Sequence, residues 1–161
     1  MKQINSKNIF LSLACLGFII ILGAGIYEQI NIHSKWITAP PRSLYMFQGS
    51  QGIDISVFWK IIHPIVLLFF ILALITNWRT TKRKSILIAL SGYIVILICT
   101  AIYFVPELIK LTAYPYSNTV LPDLQRRASL WSDLNIARAV IIFLLSLNLL
   151  LNAVKTENKI S

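Results

Sequence analysis

Residues 57–76, VFWKIIHPIVLLFFILALIT, and 86–105, ILIALSGYIVILICTAIYFV, are two apolar runs of twenty residues joined by NWRTTKRKS at 77–85. As helices rising 1.5 Å per residue, each spans about 30 Å, the thickness of a bilayer's hydrocarbon core. Backbone amides in hydrocarbon need internal hydrogen-bond partners, and a helix supplies them all. A short basic turn between two spans predicts a hairpin. Two further runs, NIFLSLACLGFIIILGAGIY at 8–27 and IARAVIIFLLSLNLLLNAV at 136–154, flank it. The chain therefore reads as an all-α bundle of four transmembrane helices, up-down-up-down, in a single domain covering 1–161. Long outer loops are expected at 28–56 and 106–135.

Composition agrees. Of 161 residues, 57% are hydrophobic and 13% charged, and mean hydropathy is +0.72. A soluble globule carries about a quarter charged residues, so that class is excluded. The net charge of +9 would raise nucleic acid as a partner in a soluble protein. Here its placement matters more. Lys2, Lys7, Arg79, Lys82, Arg83, Lys84, Lys155 and Lys159 fall on one side of the spans with only Glu157. The opposite side mixes bases with five of the six acids. The positive-inside rule then predicts cytoplasmic termini and a cytoplasmic 77–85 turn, with the charge reporting topology and anionic lipid headgroups. No nucleic-acid partner is expected. A bacterial inner membrane fits short tails and no large soluble domain. The first run is read as a retained span and not a cleaved signal peptide.

Several motifs have structural readings. Pro40-Pro41 before SLYMFQ and Gly49 after it predict a one- to two-turn helix whose Leu44, Met46 and Phe47 lie on the membrane surface or cap the bundle. Asp123 after Pro122 predicts a helix start running into the fourth span. Trp36, Trp59, Trp78 and Trp131 sit near span ends and read as interfacial anchors. Cys15 and Cys99 lie at different depths, so no disulfide is expected. No GxSxG, GxxxxGK[ST] or GxGxxG occurs. A partial internal repeat pairs Ile26-Tyr27 with Ile102-Tyr103, and Trp59…His63 with Trp131…Asn135.

Polar residues inside the spans carry the functional reading, because each costs free energy in hydrocarbon and turns toward partners. On a 100° wheel, Arg127, Trp131, Asn135 and Arg138 share one face of the fourth helix, with Asn148 and Asn152 continuing it. Tyr93, Thr100, Tyr103 and Glu107 share a face of the third, and Trp59 and His63 a face of the second. Gly17, Ala24, Gly25 and Glu28 form a narrow strip on the first, where a neighbouring backbone can approach closely. Glu28, His63, Tyr103, Glu107, Asn135 and Arg138 are all within about two turns of the outer boundary. Their convergence predicts a polar chamber there. Asn77 shares the His63 face but lies about 21 Å away along the axis. His33 is expected to be a solvated loop residue.

Three readings of the chamber stand open. It is a structural network with Arg138 between Glu28 and Glu107, a pocket for a small lipophilic or amphiphilic ligand, or a metal site of Glu28, His63 and Glu107. No cofactor is indicated. In the ligand reading Glu28, Tyr103, Asn135 and Arg138 bind; in an enzyme reading His63 or Glu107 is the general base, while Arg138 and Asn135 stabilise an oxyanion. An accessory subunit docking a membrane partner protein, or a homo-oligomer, fits the same features.

The strings GAGIYE, KWITAPPRSL, FWKIIHP, NWRTTKRK and YFVPEL resemble those of an uncharacterised group of small bacterial four-span membrane proteins. More distantly the arrangement is similar to the anthrone-oxygenase-like membrane family. That resemblance implies four spans and oxygenase or small-aromatic-binding chemistry, and it carries over no catalytic residue.

Overall fold

The computed structural model describes residues 6–155 and is all-helical, with no strand among them. Four helices are long and apolar enough to cross a membrane: α1 (Ser6–Trp36), α2 (Ser56–Thr76), α3 (Arg83–Thr112) and α4 (Pro122–Val154). The chain is thus built as an integral, multi-pass membrane protein. Lys2, Glu157 and Lys159, which entered the charge argument, lie outside the described residues.

Each helix packs against two neighbours in a closed ring, α1 on α2 and α4, α3 on α2 and α4. Lipid tails are as apolar as leucine, so helix association rests on close packing and polar contacts and not on water expulsion. At one end the packing is tight. Phe18 lies edge-on to Phe70 and Tyr93, with ring centroids 4.7 and 5.0 Å apart. A Cβ added to Gly17 would fall 2.6 Å from Cγ2 of Val66, so the small-residue strip does bring α1 and α2 together. Buried Asn77 donates to the carbonyls of Lys7 (3.1 Å) and Ala73 (2.9 Å). Nearby, Lys82 donates to the Ala153 carbonyl (3.0 Å) and Asn148 to Ser85 Oγ (3.2 Å). Outward-facing side chains such as Leu16, Leu68, Ile71 and Leu144 are exposed and apolar, as a lipid-facing surface requires.

The other end differs from expectation in length. Of the segments expected as loops, 106–135 is largely helical and 28–56 is helical at its start, leaving 37–55 and 113–121 as connections. α4 begins at Pro122, as the Pro122-Asp123 signal predicts, and runs unbroken for 33 residues. The Pro-flanked motif forms a 3₁₀ helix over Arg42–Phe47, after a cis Pro40-Pro41 bond and before Gly49 at φ 76°. Leu44 is fully buried, in a cluster with Trp36, Phe104, Leu111, Leu124, Ala128 and Trp131, so this segment caps the bundle. Trp36 and Trp131 are core residues here, not interfacial anchors. Trp78 is exposed, with the Arg83 guanidinium 5.1 Å from its ring centroid.

Two helices widen at this end. α1 is π-helical over Gln29–His33 and α3 over Thr100–Phe104. In α3 the cause is local: Pro106 has no N–H, and its ring crowds the carbonyl of Ile102 four residues back. A π turn admits one extra residue, which turns every later side chain to a new face. The sequence around Gln29 contains no comparable cause.

Candidate functional site

A cavity of about 770 Å³ opens within this widened end, lined by all four helices and by residues 52–55. Its wall is mostly apolar, including Ile21, Leu22, Phe104, Leu108 and Ile142, with Glu28, His33, Trp59, His63, Thr100, Asn135 and Arg138 on it. Pocket volumes of about 300–1,000 Å³ with a few placed polar groups are those of small-molecule sites.

The polar groups form an ordered relay. Arg138 donates to Thr100 Oγ1 at 3.0 Å and to Asn135 Oδ1, and its guanidinium lies 4.5 Å from the Phe104 ring centroid. With its oxygen occupied, Asn135 turns its amide nitrogen to Gln29 Oε1, 3.2 Å away. Gln29 in turn donates from Nε2 to Ser132 Oγ at 2.7 Å. Its Oε1 is then purely an acceptor, and the facing His33 Nδ1 at 2.9 Å is a donor. His33 is 1% exposed, and its Nε2 has no hydrogen-bond partner. That nitrogen faces Glu28 Oε2 at 3.9 Å.

Trp59 Nε1 donates to both carboxylate oxygens of Glu28, at 2.9 and 3.1 Å. The His63 ring stacks on Trp59 with centroids 5.3 Å apart, and its Nδ1 lies 2.7 Å from the Tyr93 hydroxyl. Pro64 follows within α2 and also lines the cavity. At the rim, Asp54 accepts from the Ser56 backbone N–H at 2.8 Å. The Ser56 hydroxyl and N–H together hold the Asp54 carboxyl below its usual range.

Of the residues expected to converge, Glu28, His63, Asn135 and Arg138 line the cavity, whereas Tyr103 and Glu107 do not. Glu107 pairs with Arg127, whose Nη2 and Nε donate to its Oε1 at 2.6 and 2.9 Å. Arg138 therefore does not sit between Glu28 and Glu107. Tyr103 is exposed. The π turn explains both displacements: a regular helix carrying Thr100 inward would carry Tyr103 and Glu107 with it, but one extra residue puts Phe104 and Leu108 there. Among the described residues, no three His, Cys, Asp or Glu side chains come close enough to share a metal, so Glu28, His63 and Glu107 do not form the expected metal set. Cys15 and Cys99 are free.

His33 and Gln29 are the residues that sequence reasoning missed. His33 is buried on a helix, not solvated in a loop, because α1 continues past the apolar run and its π turn swings position 33 onto the Glu28 face. The available signal was the pair Gln29…His33 four residues apart, directly after Glu28. No family model, curated protein or solved structure matches this chain, so its own geometry carries the functional argument.

Proposed function

We propose that this protein binds a small amphiphilic molecule in the membrane, its apolar body in the cavity and its polar head against Glu28, His33, Asn135 and Arg138. The single observation that carries this reading is the cavity of about 770 Å³ whose mostly apolar wall carries polar side chains from all four helices. Burying charged side chains in hydrocarbon costs several kcal/mol, a cost that a structural network could meet without any void. The polar side chains here border open space.

We also place the cavity in the outer half of the membrane, with an up-down-up-down course and cytoplasmic termini. The support is the basic cluster at Arg79–Lys84 and the contacts among Lys7, Asn77, Lys82 and Ala153, which gather the opposite helix ends. A bacterial inner membrane remains the location that suits such a chain. A second reading is oxidation of an aromatic or quinone-like substrate with His63 as general base. The aromatic walls Trp59, Phe104 and Trp131 favour it.

Gly25 provides the test. It lines the cavity, and a Cβ there meets no heavy atom within 4 Å, so Gly25→Phe sets a bulky side chain at the cavity wall from an unobstructed Cβ and improves helix propensity. Native mass spectrometry with a set of twelve-carbon amphiphiles (alcohol, acid, amine) should show one molecule bound saturably per wild-type chain and none on Gly25→Phe. Non-saturable binding, or binding that Gly25→Phe leaves intact, overturns the proposal.

A further inference from the structure

The unpartnered nitrogen of His33 narrows the chemistry of the head group. This step rests on the ligand-binding reading above and specifies which molecules the site selects.

Arg138 fixes the relay's direction. A guanidinium only donates, so Asn135 Oδ1 accepts and Asn135 Nδ2 donates; Nδ2 lies 3.2 Å from Gln29 Oε1 and 3.3 Å from His33 Nδ1, and because Gln29 Oε1 can only accept, the shorter 2.9 Å contact from His33 Nδ1 to it places the hydrogen on Nδ1. In a neutral imidazole the remaining nitrogen, Nε2, holds a bare lone pair. It is buried and has no donor, on a residue that lines the cavity. Opposite it, 3.9 Å away, stands a second pure acceptor, the Glu28 carboxylate. Two acceptors facing one another at this distance need hydrogen supplied between them. An atom at an ordinary hydrogen-bond length of about 2.8 Å from each makes an angle of about 90° between the two directions. One nitrogen carrying two or more N–H bonds meets that geometry; a hydroxyl brings one hydrogen and serves only one acceptor.

Charge points the same way. No lysine or arginine nitrogen among the described residues lies within salt-bridge distance of Glu28, whose close partners are Trp59 and His33; the Arg138 guanidinium attracts it from beyond that distance. Arg138 is engaged by Thr100, Asn135 and the Phe104 ring. A cation in direct contact with the carboxylate would add to that longer-range attraction. The rings of Trp59, Trp131 and Phe104 on the cavity wall favour a cation as well.

We infer that the gap between His33 Nε2 and the Glu28 carboxylate is an ammonium-binding subsite, so that the ligand is an amphiphile bearing a primary amine.

Four probes of equal chain length test this on the purified protein by native mass spectrometry: dodecylamine, dodecyltrimethylammonium, dodecanol and dodecanoate. A hydrogen bond to a charged partner is worth enough for about a ten-fold preference. Dodecylamine should bind about ten-fold or more tightly than each of the others, and Glu28→Gln should erase the preference. Dodecyltrimethylammonium, with charge but no N–H, separates hydrogen-bond donation from charge alone. Equal, saturable binding of all four overturns the ammonium subsite and leaves the ligand pocket standing, as does dodecanol matching dodecylamine, which means a bridging water fills the gap. Saturable binding of none overturns both. Since Glu28→Gln keeps an oxygen for Trp59 to donate to, its fold is protected, and the four-probe comparison on the unsubstituted chain is decisive even if the variant fails.

Discussion

The two ends of the bundle use the same residue type in opposite ways. Gly17 is a contact: α2 approaches so closely that any side chain would strike Val66. Gly25, two turns along the same helix, is an absence of contact, with no heavy atom within 4 Å of where its Cβ would be. Around Gly17 the rings of Phe18, Phe70 and Tyr93 interlock, with the Tyr93 hydroxyl reaching His63 at the edge of the void; beyond it, widened helices enclose that void, bordered by a glutamate, two histidines and an arginine. The difference is one of packing: side chains interlock around Gly17, whereas around Gly25 open volume remains beneath the buried cluster of Trp36, Leu44 and Trp131.

The comparison breaks if substitutions at the two ends behave alike. Phe70→Ala, in the interlocked ring cluster, should cost most, about 3 kcal/mol or more of stability by the usual penalty for a buried aromatic cavity, while ligand binding survives in whatever protein remains folded. Denaturant titration in detergent measures it. Arg138→Gln comes next, at about 2–3 kcal/mol, because Thr100 and Asn135 lose their charged donor; this change should damage both stability and binding. Gly17→Ala should destabilise by about 1–2 kcal/mol through overpacking against Val66, with Gly25→Ala neutral or stabilising in the same unfolding assay. Arg126→Ala should have no measurable effect in either assay, since its pair with Asp123 is solvent-exposed at both partners. A neutral Gly17→Ala or a costly Gly25→Ala would erase the distinction between the ends.

The four spans were legible because twenty-residue apolar runs leave a chain few alternatives. Glu28, His63, Asn135 and Arg138 were legible as a group because a polar residue in hydrocarbon must face inward. What defeated the helical wheel was its fixed 100° step. Past Thr100 the π turn shifts the inward face by one residue, exchanging Tyr103 for Phe104 and Glu107 for Leu108. The same device in α1 delivers His33 to the site. Pro106 warns of the first distortion, whereas nothing around Gln29 warns of the second. The helical stretches beyond the apolar runs were hidden for another reason: 28–36, 106–112 and 122–135 are amphipathic or polar, and hydropathy alone assigns them to loops. The network reading pairs Glu107 with Arg138, but Arg127, on the polar first third of α4, pairs with it instead.

The central claim is that the widened end is an occupied site and not a packing defect. Photolabelling with a diazirine-bearing dodecyl amphiphile, followed by mapping of the adducts, tests it most directly. The account predicts saturable labelling of one molecule per chain at Glu28–His33 and Phe104–Leu108, abolished in Gly25→Phe. Adducts confined to lipid-facing positions such as Leu68 and Ile71, rising without saturation and indifferent to Gly25→Phe, would contradict it.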